Sequence, residues 1–253
     1  MRYPSVGRCI YCGSTEGLTD EHIIPEGLHG PWVLPKSSCE TCSVETGRFE
    51  QRVLRGPLWP PKTELGLKTK RPRERPQGFP LTVVRNGKRV RENVPVGSNL
   101  PSVILPLFGK PGFLTPSTPL NSIEITGWYV GHISRTPEQV KQELGAEGVW
   151  IETNYPVIDF ARMLAKIAYS YAVAQRGLDH VIAPLVLPGI LGKGNDLGQW
   201  VGCASDAKPH PDPEALHGLQ MHTKGDYIAV AIQLFTFQPT PIYTVFVSRG
   251  HRA

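Results

Sequence analysis

The chain has 253 residues and carries 27 Lys and Arg against 22 Asp and Glu, with a pI near 9.0. It is long enough to bury a core as one large or two small domains, and its charge permits a polyanionic partner without requiring one. Its 26 Gly and 25 Pro, about a fifth of the residues, stay below the roughly 25–30% of a disordered chain and point to a folded protein with many turns. Five cysteines exclude a disulfide scaffold. The N-terminus has no apolar signal-like run, and the best candidate for a membrane span, Val157 to Ala174, contains Asp159, Arg162 and Lys166. The expectation is a soluble, cytoplasmic protein with no membrane partner.

Residues 1–56 form the first segment. Two Cys-x-x-Cys pairs, Cys9/Cys12 and Cys39/Cys42, suit a tetrahedral Zn²⁺, because each pair is a tight knuckle that aims both sulfurs at one point. Four thiolates close the shell and leave no position for water, so such an ion is structural. The bland alternative is two unrelated pairs, one of them redox-active. The 26 residues between Cys12 and Cys39 exceed a compact zinc ribbon and hold Leu18-Thr19-Asp20-Glu21-His22-Ile23-Ile24-Pro25. Phosphodiester hydrolysis needs a water, a base and a cation. His22 can be the base, since a neutral imidazole accepts a proton near pH 7, and Glu21 can hold Mg²⁺ through oxygen. Adjacent strand residues point to opposite faces, so both reach one site only if the strand ends or kinks there. The competing reading is an ordinary histidine beside a solvated glutamate. After Cys42, Val44 to Leu54 predicts a short helix, stopped by Gly56-Pro57.

Taken together, Cys9-Ile10-Tyr11-Cys12-Gly13, the Leu18 to Pro25 run and Cys39-Glu40-Thr41-Cys42 resemble the HNH endonuclease family of ββα-metal nucleases in its zinc-stabilised treble-clef form. The resemblance covers about a fifth of the chain. It implies a metal-dependent endonuclease acting on DNA, with His22 as general base and Glu21 as a first ligand of the catalytic cation, Mg²⁺ or another divalent ion. It also implies structural zinc on Cys9, Cys12, Cys39 and Cys42, a β-hairpin carrying His22, and a helix after Cys42 that completes the site. On that helix Ser43 stands where the family usually has Asn or His, and Glu50 matches a recurrent acidic position; both are candidate cation ligands. His29-Gly30 stands where the family tends to have Gly-Gly. The rival reading is a catalytically impaired zinc module that binds nucleic acid or a protein partner.

Residues 57–121 read as a Pro-rich basic connector with twelve of the prolines. Leu81 to Arg91 predicts a β-hairpin, because Asn86-Gly87 takes the positive φ angles of a type I′ turn. Between Lys68 and Arg91, nine basic residues face one acid, Glu74. The hairpin cations Arg85, Lys88, Arg89 and Arg91 are candidate nucleic-acid contacts; a solvated, extended linker explains them equally well.

Residues 122–253 read as an α+β domain of unknown role. Ile123 to Ile133 and Gly148 to Thr153 predict strands, and Pro137 to Leu144 a helix capped by Thr136. Phe160 to Ala174 is the best helical pattern, ended by Gly177. Arg162 and Lys166, at i,i+4, are read as a solvated edge of that helix. Tyr227 to Phe237 and Ile242 to Ser248 predict an antiparallel hairpin. Cys203 reads as a small buried residue, and His210, His217 and His222 as surface-loop histidines. The predicted fold is α+β, an N-terminal treble-clef ββα-metal zinc module followed by a C-terminal α+β domain.

Overall fold

The computed structural model describes residues 1–69, 71–115, 122–203 and 215–250; Lys70 and His210 lie outside them. The fold is α+β. Strands β1 (Leu18–His22) and β2 (Val33–Cys39) pair antiparallel and lead into helix α1 (Glu40–Leu54), the ββα order that the family resemblance implies. Cys39 caps α1 in an extended conformation and Glu40 sits in its first turn, where the helix dipole favours an acid.

The connector holds more structure than its composition suggests. A short helix, α2 (Trp59–Glu64), follows α1. The hairpin is β3 (Gly78–Arg85) and β4 (Lys88–Pro95), with Asn86 at φ 52° and Gly87 at φ 70°. Strand β5 (Ser102–Phe108) is almost wholly buried and pairs with β6 (Ile125–His132). Its apolar run between prolines has no alternation, so nothing in the pattern marks it as a strand.

Helix α3 (Pro137–Leu144) has the full capping box between Thr136 and Gln139, and β7 (Gly148–Trp150) adds to β3 in the order β4-β3-β7. Helix α4 (Val157–Arg176) ends at Gly177, which takes φ 84°. The last sheet is antiparallel, in the order β8-β11-β10-β9, from β8 (Val201–Cys203), β9 (His217–Lys224), β10 (Tyr227–Leu234) and β11 (Ile242–Arg249).

Helix α4 lies between α1 on one side and β10 and β11 on the other, which is why twelve of its twenty residues are buried. Phe160 packs against Phe108 and Tyr243 on the sheet side, ring centroids 6.1 and 5.4 Å away. The opposite side is polar and meets the cysteine module. Asp159 pairs with both nitrogens of the Arg52 fork, Tyr169 donates to the Ile10 carbonyl at 2.5 Å, and the Tyr11 and Ser170 hydroxyls lie 3.3 Å apart. One continuous hydrophobic cluster therefore runs from Cys9 through α4 to Val247, and a small second cluster of Leu81, Val83, Val94, Leu100 and Val140 lies under α3.

Candidate functional site

The four cysteines meet. The sulfurs of Cys9, Cys12, Cys39 and Cys42 all lie within 4.8 Å of one another, and the Cys12 and Cys39 sulfurs are 3.6 Å apart. Tetrahedral zinc with bonds of about 2.3 Å separates its sulfurs by about 3.8 Å, so the cluster fits a metal ion such as zinc. Backbone turns set the geometry. Cys9 N–H donates to Ser14 O at 2.7 Å, and Gly13, at φ 80°, donates back to Cys9 O at 2.9 Å. The second knuckle is fixed by the strand-to-helix junction at Cys39.

A separate cavity of about 580 Å³ lies beside the hairpin, and none of the cysteines lines it. Glu21, His22, Ser43 and Glu50 all do. Two local features bring them together. The β1–β2 register slips at Asp20: Thr19 faces Ser38, but Glu21 faces Leu34, so β2 carries surplus residues there. Lys36 takes φ 47° in this bulge and donates its N–H to Asp20 Oδ1 at 3.3 Å, and Pro35, which has no N–H for a ladder, sits beside it. The strand then ends at His22. On α1, Ser43, Thr46, Gly47 and Glu50 recur at i, i+3, i+4 and i+7 and form one face toward the cavity.

The residue that the sequence reading misjudged is Lys166. It is not a solvated helix edge; it is 1% exposed, and its ammonium lies 2.5 Å from Glu21 Oε1 and 2.9 Å from Glu50 Oε1. It also donates to the His22 carbonyl. One ammonium thus ion-pairs with two carboxylates and donates to a backbone carbonyl beside the cavity. Burial alone would lower the Lys166 pKa; the Glu21 and then the Glu50 carboxylate outweigh it, the net shift is upward, and the side chain is an ammonium ion. Arg162 is likewise turned inward, with its guanidinium 4.6 Å from the Phe49 ring and donating to Ile190 O at 2.7 Å. One sequence signal pointed to this. Lys166 follows Met163 by three and precedes Ser170 by four, both buried, so it occupies an inward position of α4.

Cations line the outer wall of the cavity. Arg55, Lys62, Lys68 and Arg71 are there, from the end of α1, from α2 and from the segment after it. The hairpin cations are elsewhere. Lys88, Arg89 and Arg91 are exposed on β4, and Arg89 stacks 5.1 Å over Trp150. Arg85 pairs with Glu92 at 3.2 Å and donates to the carbonyls of Leu144 and Gly145, closing the C-terminal end of α3. His29 is exposed at φ 61° and does not line the cavity.

His217 is not a loop histidine. It is buried in β9, where its Nδ1 accepts from Phe235 N–H at 3.1 Å. Nε2 therefore carries the proton and donates to Leu28 O at 2.8 Å, tying the last sheet to the segment after His22. Burial lowers its pKa to about 4. His222 lies on β9, half-buried. Cys203 is half-buried at β8, and burial pushes its thiol up to about 11, which is the state of an inert thiol.

Comparison of the chain with protein-family profiles, with curated proteins and with solved structures finds no match. Among the described residues, no helix is long and apolar enough to cross a membrane.

Proposed function

We propose that the protein is a metal-dependent endonuclease of the HNH type that hydrolyses DNA phosphodiester bonds. The observation that carries this reading is the convergence of Glu21, His22, Ser43 and Glu50 on one open cavity, built on a ββα unit with its own cysteine cluster. His22 is the general base: its imidazole takes the proton of the attacking water. Zinc on the four cysteines holds the ββα unit together and takes no part in the chemistry. Glu21, Ser43 and Glu50 offer the oxygen donors that suit a hard divalent cation, and Mg²⁺ bound there would stabilise the charge that develops on the phosphate. Lys166 already pairs with one oxygen of each carboxylate, so a cation bound there would share Glu21 and Glu50 with the ammonium and take the Ser43 hydroxyl beside them. Its positive charge raises the divalent concentration required. The exposed cations Lys88, Arg89 and Arg91 supply sequence-independent contact to DNA.

The Lys166 ion cluster is also the observation that favours the alternative, a catalytically impaired zinc module that binds nucleic acid or a protein partner, because it offsets half of the carboxylate charge without a metal. Plasmid cleavage with Mg²⁺ or Mn²⁺ separates the two. His22→Ala is expected to lose activity by roughly 10²–10⁴-fold while keeping its zinc and its DNA affinity. Equal activity of wild type and variant rejects His22 as the base. Intact DNA binding with no cleavage under any divalent cation selects the alternative.

A further inference from the structure

Beside the main cavity lies a recess of about 50 Å³, and Arg55, Lys62, Thr69 and Arg71 line both spaces. That volume holds a few water-sized groups, the size of one phosphoryl group. Arg75 also lines the recess, so four cations surround it. Glu74 is the one acid among its lining residues, and it is already shared by Arg71 at 2.9 Å and Arg55 at 3.3 Å. Arg75 donates to Leu67 O at 2.8 Å, which fixes its guanidinium without neutralising it.

Lys62 is the telling residue. It is half-buried, and its ammonium has no hydrogen bond or ion pair among the described residues. Its ammonium lies over Gly27, where an added Cβ would come within 3.0 Å of Nζ; the missing side chain at Gly27 is what admits it. A half-buried cation among three guanidiniums, with the local acid already taken, is an arrangement that an anion completes.

We propose that this recess is a phosphoryl subsite, and that it holds a phosphate of the nucleic-acid strand adjacent to the one presented to His22. The identity of the strand rests on the endonuclease reading; the anion site does not. Thr63 and Thr69 add hydroxyl donors around the recess. Burial, with Arg55 and Arg75 close by, lowers the Lys62 pKa to about 8, in keeping with a cation that has no anion beside it.

The test uses the full chain without added divalent cation, so that binding is read apart from cleavage. Anisotropy of a labelled oligonucleotide is measured against salt for wild type, Lys62→Met and Lys62→Arg, and inorganic phosphate is titrated against each by calorimetry. The methionine keeps the apolar stem, and the arginine keeps the charge. Wild type is expected to bind inorganic phosphate saturably, and phosphate is expected to compete with the oligonucleotide. Lys62→Met is expected to lose phosphate binding and to flatten the salt slope of oligonucleotide binding by about 0.9, one phosphate contact; Lys62→Arg restores both. Absence of saturable phosphate binding in folded wild type overturns the subsite. Loss of phosphate binding in Lys62→Met with an unchanged oligonucleotide slope overturns the assignment to the strand. Wild type that binds phosphate saturably but cleaves no DNA when Mg²⁺ or Mn²⁺ is then added would reject the endonuclease reading and leave the subsite standing.

Discussion

Lys166 shows how one side chain ties distant segments into a site. Its ammonium joins Glu21 of the hairpin to Glu50 of α1 from a helix more than a hundred residues further on. Removing the charge leaves two carboxylates buried together, and breaking a buried pair costs about 3–5 kcal/mol. Lys166→Met is therefore expected to lower the unfolding free energy from urea titration at pH 7 by that order, with Mn²⁺ restoring part of the loss because a divalent ion replaces the missing charge. The same variant is expected to need less Mn²⁺ for half-maximal cleavage than wild type. His217 gives a second prediction at this scale. Its folded pKa of about 4 lies below the roughly 6.5 of an unfolded histidine. Between those values the unfolded chain binds the proton and the folded chain does not, so stability falls as pH drops from about 6.5 toward 4. The full effect is on the order of 3 kcal/mol. Denaturant titrations of wild type and His217→Gln at pH 7 and pH 4.5 read it as a pH slope that the variant lacks.

At the scale of elements, the ββα unit and α4 depend on one another. The first cysteine knuckle carries Ile10 and Tyr11, which hold the hydroxyls of Tyr169 and Ser170. Loss of a metal held by the four cysteines would therefore loosen α4 as well as β2 and α1. Elemental analysis is expected to find one zinc per chain, and Cys39→Ser is expected to lose both the metal and amide protection along α4, because metal binding and folding are one equilibrium here. Well-folded protein with no bound metal would contradict this. The β3–β4 hairpin presents its cations in two ways. Lys88, Arg89 and Arg91 are exposed, while Arg85 ends α3. Neutralising the three exposed residues is expected to flatten the salt dependence of DNA binding with little change in stability; Arg85→Gln is expected to lower the thermal midpoint through the lost carbonyl contacts.

For the whole molecule, α4 is the organising element. It is buried between the cysteine module and the four-stranded sheet, so the C-terminal half backs the candidate site directly. His217 adds a second tie from that sheet to Leu28. Changes on the sheet side of α4 are thus expected to reach the cavity. Phe160→Ala, which empties the contact with Phe108 and Tyr243, is expected to cost about 3–5 kcal/mol and to weaken zinc retention on partial denaturation, measured by metal release against urea.

The sequence by itself determined what local chemistry controls. The paired cysteines at knuckle spacing, the Asn86-Gly87 turn, the Thr136 cap and the apolar spacing of α4 each encode their own element within a few residues. It also marked Glu21 and His22, and through the HNH resemblance Ser43 and Glu50, which the bulge at Asp20 and the helical repeat of α1 then brought to one cavity. Only the tertiary structure decided the charge partners. A lysine at i,i+4 from an arginine reads as a solvated edge until a second layer covers it, and what covers Lys166 is a hairpin more than a hundred residues earlier. The same holds for β5, His217 and the cations around Lys62. Burial and ion pairing are set by what packs across a gap, and no local pattern of residues records that distance.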